Sequence, residues 1–199
     1  MRLVVGLGNP GIEHQGTRHN AGFEVLDRLA RRYGDPPGGA AKSRFAGLLV
    51  EGRIGDERVL LLKPTTFMNL SGSSVLEALR FHKLDASKDL LVVTDDFALP
   101  CGAMRLRAQG GDGGHNGLAD ITRRLGSDRW PRLRVGIDAP GRISTESYVL
   151  GVFTPEQRKQ LDPGLDEAAE AVACWATEGL EAAMNRFNRR GVGASAKEA

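Results

Sequence analysis

The chain has 199 residues, of which 41% are hydrophobic and 26% charged, and a formal net charge of +2; a chain of that size fits one globular domain and buries a core without disulfides or a structural metal. Cys101 and Cys174 lie far apart and show no CxxC or Cys/His metal spacing, so they read as free thiols of a reducing compartment. No stretch approaches the roughly 20 apolar residues of a membrane span, and the apolar run after Met1 is too short for a secretory h-region, so the expected setting is cytoplasmic with no membrane partner.

In chain order, Leu3 to Leu7 is an apolar run ended by Gly8-Asn9-Pro10-Gly11, the pattern of a buried strand entering a turn. From Asn20 the period becomes helical, with Phe23, Leu26, Leu29 and Ala30 on one face, and the glycines and prolines of 34 to 39 stop it. Residues 44 to 50 and 57 to 62 predict a hairpin across Gly52 to Asp56. A helix follows Asn69-Leu70-Ser71-Gly72 through His82, and Leu90 to Val93 is a short apolar strand ended by Thr94-Asp95-Asp96. Met104 to Arg107 reads as a strand, 110 to 117 as a glycine cluster, Leu118 to Leu125 as a short helix, and Leu133 to Ile137 as another strand. Thr154-Pro155 and Asp162-Pro163 each pair an N-cap residue with proline at the first helical position, so two successive helix starts are expected. The stripe Leu165, Ala169, Val172 and Trp175 is interrupted near Gly179.

Strands interleaved with helices predict a single α/β domain over residues 1–190, a three-layer sandwich in which a twisted mixed β-sheet is flanked by helices. Parallel strands should lie in the middle and the hairpin toward one edge, with 191–199 a disordered tail. Ligands of such sheets sit beyond the carboxyl ends of central strands, where both Asn9 and Asp95 fall.

Residues 101–134 hold seven arginines against three aspartates, so this segment carries an excess of four positive charges in a chain of +2. Clustered arginine suits an anionic partner, although a solvated arginine-rich surface has the same composition. Gly6-Leu7-Gly8-Asn9-Pro10-Gly11 spells the dinucleotide fingerprint GxGxxG, but it does not open directly into a helix and no acidic strand end follows at the required distance. There is no G-x-S-x-G, and His14 and His19 are five apart, which does not set two metal ligands on one helical face.

Two of the four histidines sit in near-matching frames, Thr17-Arg18-His19-Asn20-Ala21-Gly22 and Gly113-Gly114-His115-Asn116-Gly117-Leu118. A glycine-flanked imidazole beside a carboxamide is poor helix material, so a polar site explains the repetition better than core packing. His19 is suited to general base catalysis on water, with a carboxylate such as Asp95 holding its tautomer; the plainer reading is a loop histidine capping the next helix. Asn9, Asn69 and Asn116 stand beside glycine or proline turns, where a carboxamide can both grip a peptide backbone and donate to an oxyanion, or simply tolerate a left-handed turn.

Together these segments, with Pro64-Thr65-Thr66-Phe67-Met68-Asn69-Leu70-Ser71-Gly72, Asp95-Asp96, Leu99-Pro100 and Arg132-Leu133-Arg134-Val135-Gly136, resemble the ordered motifs of bacterial-type peptidyl-tRNA hydrolases from residue 3 to about 153. The resemblance implies an esterase that cleaves the bond between a peptide and the terminal ribose of tRNA, recycling peptidyl-tRNA dropped by ribosomes. It implies His19 as base, Asp95 as its orienter, Asn9 as the group that tells a blocked from a free amino terminus, and Asn69 and Asn116 as holders of substrate and water. Phe67 falls at a substrate contact, His14 where the family has a stacking aromatic, and Arg107 and Arg134 at a clamp for a tRNA phosphate. Ala98 and Ala119 replace a usual acid and a usual base. The expected enzyme is monomeric, uses no covalent intermediate, metal or cofactor, and meets peptidyl-tRNA at its acceptor end and terminal phosphate region rather than DNA. The rival from another class is a catalytically idle RNA-binding relative.

Overall fold

The computed structural model describes residues 1–188, so the tail expected at 191–199 lies outside the described residues. Among these, seven strands form one mixed sheet: β1 (Arg2–Gly6), β2 (Lys42–Arg44), β3 (Gly47–Ile54), β4 (Glu57–Pro64), β5 (Leu90–Asp96), β6 (Met104–Arg107) and β7 (Arg132–Gly136), in the order β2-β3-β4-β1-β5-β7-β6. β4, β1, β5 and β7 run parallel, whereas the β2-β3-β4 meander at one edge and β6 at the other are antiparallel. The helices are α1 (Ala21–Tyr33), α2 (Ser71–His82), α3 (Ala86–Asp89), α4 (Asn116–Leu125), α5 (Thr145–Val149), α6 (Pro155–Glu178) and α7 (Leu180–Phe187).

The apolar runs of β1 and β5 are continuous because helices cover both faces of the sheet. Strand pleating sends Val4, Leu61, Leu91 and Val93 to the layer of α1, α6 and α7, and Leu3, Val5, Leu60, Leu62, Leu90 and Val92 to the layer of α2 and α4. Leu26 and Leu29 of α1 and Leu161 and Leu165 of α6 are at most 1% exposed, each stabilising the sandwich by about 1.5–3 kcal/mol. The sandwich and the central parallel strands are those the sequence predicts.

The second helix start at Asp162-Pro163 is not formed: α6 runs unbroken from Pro155 with Pro163 inside it. Thr154 and Gln157 supply a reciprocal capping box at the true start, and Asp162 spends its carboxylate on Arg28 at 3.2 Å rather than on a cap. The buried seam Leu161, Gly164, Leu165, Ala168 and Val172 continues through the proline, so packing outweighs the missing N–H. β5 extends past Val93 to Asp96, which puts Asp95 in the strand itself. At the far edge, the Asn188 carboxamide accepts from Leu106 N at 2.8 Å and donates to Leu106 O at 3.1 Å, completing β6.

The glycines of the GxGxxG segment are explained by helix packing. A Cβ on Gly6 would stand 2.4 Å from Gly22 O, and one on Gly22 would stand 2.5 Å from Val93 O and 2.6 Å from Leu7 N. The first turn of α1 therefore lies directly on the carboxyl ends of β1 and β5, where a nucleotide phosphate would need to sit. Gly22→Ala must push backbone against backbone, so it should destabilise the protein by about 1–3 kcal/mol in urea unfolding; an unchanged midpoint would show that the helix lifts freely.

Candidate active site

A single 3₁₀ turn, Arg18–Asn20, precedes α1. Three residues per turn direct consecutive side chains about 120° apart, so three neighbours in sequence reach three different walls. Arg18 stacks 4.1 Å from the centre of the Tyr148 ring of α5 and donates to Tyr148 O at 3.2 Å and Gln157 Oε1 at 2.7 Å. His19 turns to Asp95 of β5, with Nδ1 at 2.9 and 3.1 Å from the two carboxylate oxygens. Asn20 turns to the loop after β1, accepting from Asn9 N at 2.8 Å and donating to Asn9 O at 3.1 Å. Asn20 stands at the N-cap of α1 without a side-chain cap bond, and His19 makes none either, so the helix-capping reading of His19 does not apply.

Asp95 is also approached by His115, whose Nε2 lies 3.0 Å from Oδ1. The ring of His115 caps α4: its Nδ1 accepts from Gly117 N at 3.1 Å and Leu118 N at 3.4 Å. An accepting Nδ1 leaves the proton on Nε2, where it is donated to Asp95. Both nitrogens of His115 are thus engaged, whereas His19 donates through Nδ1 and keeps the lone pair of Nε2, which has no hydrogen-bond partner among the described residues. Burial alone would raise the carboxyl of Asp95, but the adjoining imidazoles of His115 and then His19 outweigh it and hold the group well below the usual carboxylate range.

These groups open on a crevice of about 710 Å³. Its lining includes the basic Arg107, Arg132 and Arg134, the glycine loop 110–114, and the apolar Phe97, Val149 and Leu150. Arg134 forms an ion pair with Asp96. Arg132, 1% exposed, stacks on Trp130 at 3.6 Å and donates to the carbonyls of Gly110 and Asp128; burial pulls its guanidinium down to about 10.

Of the residues singled out from sequence, Asn9, His19, Asp95, Asn116, Arg107 and Arg134 line this crevice together. Asn69 and Phe67 do not line it: both are exposed, Asn69 on the 3₁₀ turn Met68–Leu70 and Phe67 just before it, while Met68 of that turn does reach the crevice. His14 lies half-buried on the turn Ile12–His14, also outside the lining. Sequence reasoning did not assign a role to His115, Arg18, Asn20 or Arg132; the matching histidine frames were the signal for the first.

His19, Asp95 and His115 are the one set of potential metal ligands among the described residues. They do not fit a cation well. A metal at His115 Nε2 needs that lone pair, which moves the ring proton to Nδ1 and against the Gly117 and Leu118 N–H groups. The thiols offer no alternative nucleophile, since burial pushes Cys101 up to about 11 and raises Cys174 as well.

A family model described as peptidyl-tRNA hydrolase matches residues 3–196. The peptidyl-tRNA hydrolases of Rhodopirellula baltica and Carboxydothermus hydrogenoformans are 46% and 49% identical, covering 94% and 96% of this chain and 97% and 100% of their own. The solved peptidyl-tRNA hydrolase of Acinetobacter baumannii superposes with a TM-score of 0.86 at 37% identity, over 94% of each chain. With identity of this extent in sequence and in backbone, the chain belongs to the peptidyl-tRNA hydrolase family.

Proposed function

We propose that the chain hydrolyses the ester joining a peptide, or any N-blocked aminoacyl group, to the 3′ end of tRNA, with His19 as general base. The observation that carries this reading is the free Nε2 of His19, whose opposite nitrogen is fixed by Asp95 at the wall of the crevice. His19 Nε2 takes a proton from water as the water oxygen attacks the ester carbonyl. The tetrahedral intermediate then collapses, the bond to the ribose oxygen breaks, and the imidazolium returns the proton to that oxygen. Free tRNA and a carboxylic acid leave. Asp95, ionised throughout, stabilises the imidazolium.

His115 has no nitrogen to spare, so its part is to hold Asp95 and present Asn116 at the start of α4. Asn116 and Asn9 offer carboxamides to the substrate, and Asn69, Phe67 and His14 supply contacts outside the crevice lining. Arg107 and Arg134 clamp a phosphate near the acceptor end, Asp96 pre-orienting Arg134. An idle RNA-binding relative would have no need of an unpartnered base beside an ionised orienter. No metal or cofactor enters these steps, and residues 1–190 act as one catalytic domain, monomeric and cytoplasmic.

His19→Ala should fold normally and lose roughly 10² to 10⁴ in kcat on N-acetyl-aminoacyl-tRNA; turnover within about threefold of the parent would remove His19 from the mechanism. Asp95→Asn offers one acceptor oxygen to two ring N–H groups and no charge to an imidazolium, so a comparable loss is expected. Because the folded Asp95 carboxyl is held low, the stability its charge adds is present above its unfolded pKa of about 4 and is lost as pH falls from there toward the folded value. The unfolding free energies of parent and Asp95→Asn, followed from neutral pH into strong acid, should converge over that window, and a constant gap would contradict it. Asn9→Asp should erode the preference for blocked substrates, since a carboxylate also attracts the ammonium of a free amino group. The comparison is kcat/KM on N-acetylated against free aminoacyl-tRNA, and an unchanged ratio in an active variant would leave Asn9 a turn residue.

A further inference from the structure

Asn9 sits on a loop that no strand or helix holds, between the end of β1 at Gly6 and the turn at Ile12. Its own carboxamide has no hydrogen-bond partner among the described residues and lines the crevice. Discrimination between two amino groups that differ by a charge and a few atoms requires the reading group to stay in place, because a loosely held amide swings to satisfy either substrate. Among the described residues the only side-chain grip on the Asn9 backbone is Asn20, which satisfies the N–H and the C=O of that residue at once, at 2.8 and 3.1 Å. These two hydrogen bonds hold the peptide units on both sides of the Asn9 Cα, and so fix where its side chain starts. Asn20 is itself fixed: it is 6% exposed and follows His19 on the turn that Arg18 and Asp95 anchor.

We infer that Asn20 is a positioning residue for substrate discrimination, acting through Asn9 and not through the base. It matters only through Asn9, whose reading role is the one proposed above. The same turn thereby sets the catalytic imidazole and the selecting amide in one rigid piece, with His19 and Asn20 adjacent in sequence.

The experiment is a cycle of Asn9→Ala, Asn20→Ala and the double variant, each assayed for kcat/KM on N-acetylated and on free aminoacyl-tRNA. Asn20→Ala should lower the blocked-to-free ratio by about tenfold, the loss expected from two hydrogen bonds, while the pH profile of kcat/KM keeps the parental shape. The double variant should show no further loss of ratio beyond Asn9→Ala, because a residue that works through another adds nothing once that other is gone. Should Asn20→Ala fail to fold, Asn20→Asp, which keeps the acceptor for Asn9 N and sets an oxygen against Asn9 O, should also lower the ratio. A collapsed ratio in Asn9→Ala with a parental ratio in the Asn20 variants, or additive losses in the double variant, would overturn the inference alone. A parental ratio in Asn9→Ala would overturn the reading of Asn9 and this inference with it.

Discussion

The carboxylate of Asp95 organises the molecule. It is a buried charge, with a side chain 2% exposed, and a lone ion in that position would be expelled or neutralised. Two imidazole N–H groups prevent this, and they arrive from a 3₁₀ turn before α1 and from the cap of α4. The solvation of one anion therefore ties the first strand-to-helix connection and the last part of the glycine loop to the end of a central strand. Because the anion must be satisfied by donors, each ring is forced to place a proton toward it. That requirement leaves a lone pair on the far nitrogen of each histidine; α4 consumes one and the crevice inherits the other.

Much of the architecture was legible because it rests on strong local patterns. The apolar β1 and β5 runs specify parallel strands covered on both faces, and the amphipathic α1 and α4 declare their buried sides. What escaped were elements without a pattern to read. β2 is three exposed residues held by pairing to β3, and α5 buries only Tyr148 and Val149, too few for a helical period. The N-cap-and-proline signal failed at Asp162-Pro163 because it is local and ignores the buried seam of α6 that continues through Pro163 and packs in one core with α1 and the sheet.

In the site, the sequence exposed His19, Asn9 and Asp95 through their turns and strand ends and paired His19 with Asp95, but chain separation concealed the second imidazole on Asp95 and the grip of Asn20 on Asn9. His115 reaches Asp95 across 20 residues and His19 across 76, and neither spacing carries a signal of its own. The glycine fingerprint shows the opposite case, where a strong local signal points to the wrong partner. Glycine is needed at Gly6 for a backbone approach, as in a nucleotide site, but the approaching group is another stretch of this chain at Gly22. Composition alone does not distinguish a helix from a ligand as the neighbour that excludes a side chain.

The clasp of Asn188 on Leu106 has a consequence for association between copies. A sheet of seven strands ends in two rows of unpaired backbone groups, and such rows recruit strands from other molecules. Here β6 meets a side-chain amide that mimics a peptide unit, filling both hydrogen-bonding positions of Leu106. The opposite margin, β2, offers only Lys42, Ser43 and Arg44, whose charges repel an identical incoming edge. A chain cut short before Asn188 would thus lose more than the end of a helix: it would bare a templating edge, and its first symptom would be aggregation rather than inactivity.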